Sequence, residues 1–345
     1  MKYAFALAGG GTRGAFEVGV WKALKELGIE IEAIAGTSIG AVNGAIFASG
    51  TDGAEMWKRI KATDVADISG SNLFSITSII PTIKKLQEGG IDSSAFKDLL
   101  DKNIDENTIR TSGIDYGLCT FRTDTKKCEE LFLEKIPNGK LTEYIMASAS
   151  FPLFKPTQIN GVSYSDGGLR NNLPINMLIE RGYKNIISVS VKGLGIVKNI
   201  DRCGVNIIEI NCLTPEVGFM DFDTDSIAES IKSGYFECMR VFGEYFGKHY
   251  SIERKSYLEA RMIYGPALIR GLEDAAKLCK INPYRVYTFN ELKTLVLKSF
   301  NKNTKLRLAV YMIKKKLPGS SFYDSFKKVF SAANAVVYLL NERGN

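Results

Sequence analysis

Ser38 lies in Gly36-Thr37-Ser38-Ile39-Gly40, directly after the apolar run Ile31-Glu32-Ala33-Ile34-Ala35. This spacing fits a nucleophile elbow, where a strand turns sharply into a helix and flanking glycines leave room for a strained serine. A serine hydroxyl is a poor nucleophile until a neighbouring group accepts its proton. The chain has one histidine, His249, in 345 residues, so the base is either that imidazole or a carboxylate.

A second candidate is the loop Gly9-Gly10-Gly11-Thr12-Arg13-Gly14, between the first apolar run and the first helical pattern. Its glycines let backbone N–H groups face a negative oxygen near a helix N-terminus. The loop also fits GxGxxG, the dinucleotide fingerprint, which calls for an acidic residue at the end of the second strand. That strand ends instead in Gly36-Thr37-Ser38, with Glu30 and Glu32 at its beginning. An oxyanion loop is therefore the preferred reading. Both loops fall at the carboxyl edge of adjacent parallel strands, where ligands of α/β sheets bind. A third segment, Tyr164-Ser165-Asp166-Gly167-Gly168-Leu169, reads in isolation as a tight turn.

Positioning these residues requires alternating strands and helices. Tyr3–Ala8 reads as a buried strand, and Gly14–Leu27 as a helix with Phe16, Val20, Leu24 and Leu27 on one face. Ile31–Ala35 is a second strand, and Ser38–Ser49 a helix of small residues able to press against a sheet. Asp115–Arg122 and Cys128–Leu133 read as paired strands, Thr142–Ser148 as a helix, and Lys184–Val191 and Asn206–Ile210 as strands. The pattern predicts an α/β fold with a mainly parallel sheet. Residues 69–112, with helical stretches at Ser78–Gln87 and Ser93–Leu100, form either a lid or a peripheral excursion. Beyond residue 250 the pattern is helical, with Thr288-Phe289-Asn290-Glu291 as a capping box opening Leu292–Phe300.

In this order the motifs resemble the patatin-like phospholipases. The matching segments are Gly9–Gly14, Gly36–Gly40, Ala147-Ser148-Ala149-Ser150-Phe151-Pro152 and Asp166-Gly167-Gly168-Leu169-Arg170-Asn171-Asn172-Leu173-Pro174. Asp221-Phe222-Asp223 and Ser233-Gly234-Tyr235 resemble the usual end of that domain, so the likeness spans about residues 1–247. The family often has alanine where Ser150 stands. The resemblance implies a three-layer α/β sandwich and a Ser38–Asp166 dyad acting through an acyl-enzyme, with Gly10 and Gly11 amides as oxyanion donors aided by Thr12 or Arg13. It implies phospholipid or other lipid acyl ester substrates, no organic cofactor and no metal. Arg13 reads as loop-ordering rather than headgroup-binding.

The chain order Ser38, Asp166, His249 is also that of an α/β-hydrolase triad. That fold places its elbow after several strands, whereas Ser38 follows only the second, so His249 reads as structural. A transacylase with the same dyad, and a non-catalytic lipid- or nucleotide-binding protein, stay open as alternatives.

Six cysteines form no CxxC pair and read as reduced thiols. The opening residues Met1–Ala8 are too short in apolar length for a secretory signal, and no run suffices for a membrane span. The expected compartment is the cytoplasm. Residues 251–345 hold 18 Lys+Arg against 7 Asp+Glu, a net +11, whereas the first 250 hold 27 against 31. With the span of the resemblance, this asymmetry implies an acyl hydrolase domain, 1–247, and a basic helical region, 248–345. Its lysines, such as Lys314-Lys315-Lys316 and Lys327-Lys328 among Tyr311, Phe322, Tyr323, Phe326 and Phe330, read first as a solvated face. Docking on an anionic membrane is the second reading, and no nucleic-acid module is recognised.

Overall fold

The first apolar run forms strand β1 (Lys2–Leu7), fully buried from Ala4 onward, as a central strand covered on both faces must be. In this computed structural model, which describes residues 1–61, 94–152, 154–212, 217–315 and 327–342, the chain forms two compact units, Met1–Cys238 and Met239–Asn345.

In the first unit β1 is flanked by two parallel strands, β2 (Glu30–Thr37) and, much later in sequence, β7 (Asn185–Ser190). β3 (Asp115–Arg122) continues the parallel sheet beyond β2, and β8 (Asn206–Asn211) beyond β7. Antiparallel pairings close the other side: β4 (Lys127–Phe132) and β6 (Val162–Asp166) on β3, and β5 (Thr157–Ile159) on β6. The result is the expected α/β architecture, a mainly parallel mixed sheet flanked by helices.

β3 has three partners, which fixes the geometry of the site. β4 takes residues Gly117–Arg122 along one edge. β2 pairs with Asp115–Cys119 and β6 with Thr120–Arg122, so both must share the opposite edge. They meet there end to end: Thr37 pairs with Cys119, and Asp166 with the adjacent Thr120.

Helix α1 (Ala15–Glu26) presents Phe16, Val20 and Leu24 to the core, as its spacing predicts. All ten residues of α2 (Ile39–Ala48) are buried, and its glycines and alanines permit that depth. The hairpin β5–β6 turns at Asn160-Gly161, both at positive φ (51° and 77°), the type I′ geometry that matches strand twist. Further helices are α3 (Gly53–Lys61), α4 (Ser94–Asn103), α5 (Glu106–Thr111), α6 (Leu141–Ser148), α7 (Ile175–Glu180) and α8 (Thr224–Val241). Of residues 69–112, read as a lid or a peripheral excursion, 94–112 holds α4 and α5; Ser78–Gln87 and the rest of 69–93 lie outside the described residues.

The second unit has a small sheet of β9 (Tyr245–Phe246), β10 (Ser251–Glu253) and β11 (Val286–Tyr287). Its helices are α9 (Arg254–Leu278), α10 (Phe289–Ser299), α11 (Thr304–Lys314) and α12 (Lys327–Glu342). α9 is broken at Gly265-Pro266, where Gly265 takes φ 71° and proline removes a backbone donor. Thr288 and Glu291 form the expected reciprocal capping box. An aliphatic and aromatic core that includes Ile252, Leu272, Tyr287, Leu292 and Val336 holds the unit together. Lys316, Phe322, Tyr323 and Phe326 lie outside the described residues. Among the described residues, no helix is long and apolar enough to cross a membrane.

Candidate active site

Ser38 caps the N-terminus of α2 with φ 56° and ψ −126°, a backbone conformation that costs a non-glycine residue on the order of 1–3 kcal/mol. Close packing around it maintains the bend. A Cβ at Gly40 would lie 2.5 Å from the Leu7 carbonyl oxygen, so only glycine lets α2 start this close to β1. The Ser38 amide donates to Ser148 Oγ (2.9 Å), whose hydroxyl in turn donates to the Cys119 carbonyl (2.7 Å). Thr37 Oγ1 donates to the Asn171 carbonyl at 2.8 Å.

Asp166 ends β6 and is buried. Its carboxylate accepts hydrogen bonds from the Ser38 side chain and from the Gly168 amide, the latter at 2.7 Å. Burial pushes its pKa up from 3.8 to about 6, while the two hydrogen bonds pull the other way. Its own amide donates to the Ser150 carbonyl at 2.8 Å. A Cβ at Gly167 would lie 2.1 Å from the Cys119 carbonyl oxygen, so the turn after Asp166 hugs β3 only with glycine there.

The Gly9–Gly14 loop lies against this pair: a Cβ at Gly9 would approach Ser38 Cβ at 3.1 Å. The Gly9 amide donates to Asn172 O (2.9 Å), that of Thr12 to Phe219 O (3.0 Å) and that of Arg13 to Gly10 O (3.3 Å). Asn172 Nδ2 returns a bond to Gly9 O at 3.1 Å, and Thr12 Oγ1 donates to Gly218 O at 2.6 Å. The amides of Gly10 and Gly11 have no partner among the described residues. Arg13 Nη1 donates to the Lys192 carbonyl at 2.5 Å, a contact that orders the loop. Beneath Gly14, buried Asn43 donates to the Gly14 carbonyl (2.9 Å) and to Glu17 (2.8 Å), and accepts from Trp57 (3.1 Å).

These groups can perform acyl transfer: a hydroxyl bonded to a carboxylate of raised pKa, beside a loop with two amides open to a developing oxyanion. His249 belongs to the second unit, where its amide donates to Glu273 Oε1 at 2.8 Å. Burial and the nearby cations Lys277, Lys248, Lys328 and Arg240 lower its pKa to about 4.

Ser148, Asn171 and Asn172 belong to segments singled out in the sequence, but no spacing rule marked them as supports. Ser148 Oγ holds the Ser38 amide, the Asn171 carbonyl the Thr37 hydroxyl, and Asn172 the Gly9 amide and carbonyl, and such contacts leave no periodic trace. On β3 and β4, ligand atoms of Cys119, Cys128 and Glu130 lie within 4.8 Å of one another. Glu130 already accepts from Lys198 (2.5 Å), Asn171 (2.7 Å) and Asn176 (2.9 Å). The bond with Cys128, together with burial, holds the Cys119 thiol well above its usual range. Glu130 is thus held in a polar network with Lys198, Asn171 and Asn176.

The Patatin-like phospholipase family model matches residues 5–179. Patatin-like phospholipase domain-containing protein 7 of Rattus norvegicus is 31% identical over 194 residues, 54% of this chain and 13% of that protein. Lysophospholipase nte1 of Aspergillus terreus is 32% identical over 187 residues, again 54% of this chain and 12% of that protein. The chain thus covers only about an eighth of the length of these curated relatives. Among solved structures, VipD from Legionella pneumophila aligns over 98% of this chain and 90% of its own, with a TM-score of 0.39 and 13% identity. With the family model matched across half of its length, the chain belongs to the patatin-like phospholipase family.

Proposed function

We propose that the protein is a serine acyl hydrolase of lipid esters, of phospholipase A or lysophospholipase type, in which Ser38 is the nucleophile and Asp166 the base. The observation that carries this is the hydrogen bond from the Ser38 side chain to a buried carboxylate whose pKa stands near 6. A carboxylate poised there is ionised at neutral pH yet basic enough to take a proton as the hydroxyl attacks.

Ser38 Oγ adds to the ester carbonyl carbon while its proton passes to Asp166. The oxyanion is met by the Gly10 and Gly11 amides, whose alignment needs no reorganisation because the loop is pinned at Gly9, Thr12 and Arg13. One such donor is worth roughly 3–4 kcal/mol of transition-state stabilisation. Collapse expels the alcohol, which leaves with the proton held by Asp166. Water then adds to the acyl-enzyme, giving its proton to Asp166, and the carboxylic acid departs as Ser38 is regenerated. The chemistry is assigned to residues 1–247.

The test pairs fluorophosphonate labelling with hydrolysis of a defined phospholipid and lysophospholipid panel, with products identified by mass spectrometry. Wild type is expected to label at Ser38 and release fatty acid, and Ser38→Ala to do neither. An unlabelled wild-type protein that releases no fatty acid leaves a binding protein on the same scaffold.

A further inference from the structure

One side of the dyad's surroundings is unusually apolar for a surface. Leu169, Leu194, Ile196 and Val197 are 40%, 58%, 53% and 54% exposed. Single exposed aliphatics are ordinary, but a cluster beside reacting groups marks an interaction surface. Two segments supply them, and backbone bonds join the two: Ile196 N to Gly168 O (3.0 Å) and Asn172 N to Ile196 O (2.6 Å). The second segment also touches the glycine loop, since a Cβ at Gly193 would lie 1.8 Å from the Gly9 carbonyl oxygen. The aliphatic side chains therefore stand beside both the Asp166 turn and the oxyanion loop.

Charge narrows the occupant. Residues 167–173 and 191–198 contain Arg170, Lys192 and Lys198 and no Asp or Glu. Lys198 is paired with Glu130, Arg170 lies over the Phe121 ring at 5.9 Å, and both Arg170 and Lys192 are exposed. The cluster has aliphatic side chains and cations but none of the exposed aromatic residues that mark the core of protein interfaces. Aliphatic groups flanked by cations suit the boundary between acyl chains and anionic headgroups.

We infer that Leu169, Leu194, Ile196 and Val197, flanked by Arg170 and Lys192, dock the catalytic unit on an anionic lipid surface. The occupant's identity rests on the lipid-ester function proposed above. Docking this face brings the dyad to the acyl-ester level of the lipid layer, so a substrate reaches Ser38 without first dissolving in water.

The test uses the full chain carrying Ser38→Ala, so vesicles are not consumed. Binding is measured by co-sedimentation with vesicles of equal parts phosphatidylglycerol and phosphatidylcholine. Adding Leu194→Ser, Ile196→Ser and Val197→Ser is expected to weaken binding about 10-fold or more. Arg170→Gln with Lys192→Gln is expected to weaken it several-fold on these vesicles and not on pure phosphatidylcholine. As a check independent of the triple variant's folding, Val197→Trp alone is expected to show emission quenched by brominated lipid. Unchanged binding by a folded triple variant, absence of quenching, or no vesicle binding by the parent each overturns the inference. Binding is read without catalysis, so a chain that docks but cleaves nothing refutes only the enzymatic proposal.

Discussion

The backbone amide of Ser38 donates to Oγ of Ser148, 110 positions away, and Ser148 passes the connection on to the Cys119 carbonyl on β3. The elbow is thereby tied to the strand against which Asp166 is paired. Ser148→Ala removes the partner of the part-buried Ser38 amide, a loss of roughly 1–3 kcal/mol in stability. It is expected to lower kcat about 10- to 100-fold on a soluble ester with little change in KM, and to slow fluorophosphonate labelling in proportion. Wild-type labelling by a folded variant would show that Ser148 does not position the nucleophile.

Asp166 contributes to the pH dependence of stability. Its pKa is higher in the folded chain than the ordinary 3.8, so folding favours the protonated form. The group therefore weakens the fold progressively as pH rises from about 4 to about 6, and not below that window. Asp166→Asn is expected to raise the unfolding free energy by ~2–3 kcal/mol near neutral pH, with the gain vanishing by about pH 4. Denaturant titrations across that range measure it, and an equal effect at all pH values contradicts the assigned cause. The same variant is expected to be inactive.

Catalysis should titrate with the same carboxyl. The acid limb of kcat/KM on a soluble ester is expected to rise with a midpoint near pH 6 and to plateau above about 7, as Asp166 ionises. His249, with its pKa held near 4, is neutral across that limb. His249→Ala is accordingly expected to retain both the limb and most of the rate. Loss of activity in a variant with an intact circular dichroism spectrum would make the imidazole the base.

Strain at the elbow gives a comparison between two inactive variants. At φ 56° an alanine keeps the unfavourable backbone of Ser38, whereas glycine relieves it. Ser38→Gly is expected to be more stable than Ser38→Ala by about 1–2 kcal/mol despite its greater flexibility when unfolded. Equal melting midpoints for the two would mean that the turn is not strained.

The parallel half of the sheet was readable because its signals are local. Apolar runs at Tyr3–Ala8 and Ile31–Ala35, each followed by glycines and a helical period, occupy β1 and β2. β6 escaped because Val162–Asp166 is short and Ser-rich, and it runs into the glycines that suggested only a turn. Asn160-Gly161 between Thr157–Ile159 and Val162 was the available clue, since that dipeptide favours the I′ hairpin found there. The motifs themselves stood out, but the contacts among them did not. Asn172 reaches Gly9 across 163 positions, and sequence periodicity carries no information about such a closure.

The end-to-end meeting of β2 and β6 makes β3 a ruler for the proposed dyad. Thr37 and Asp166 are registered against consecutive residues of one strand, so the backbone just before Ser38 and that of Asp166 are offset along β3 by the rise of a single residue, about 3.3 Å. The 127 positions between Ser38 and Asp166 can lengthen, shorten or reshape their loops without altering that interval. A single residue inserted between Cys119 and Thr120 would shift it at once.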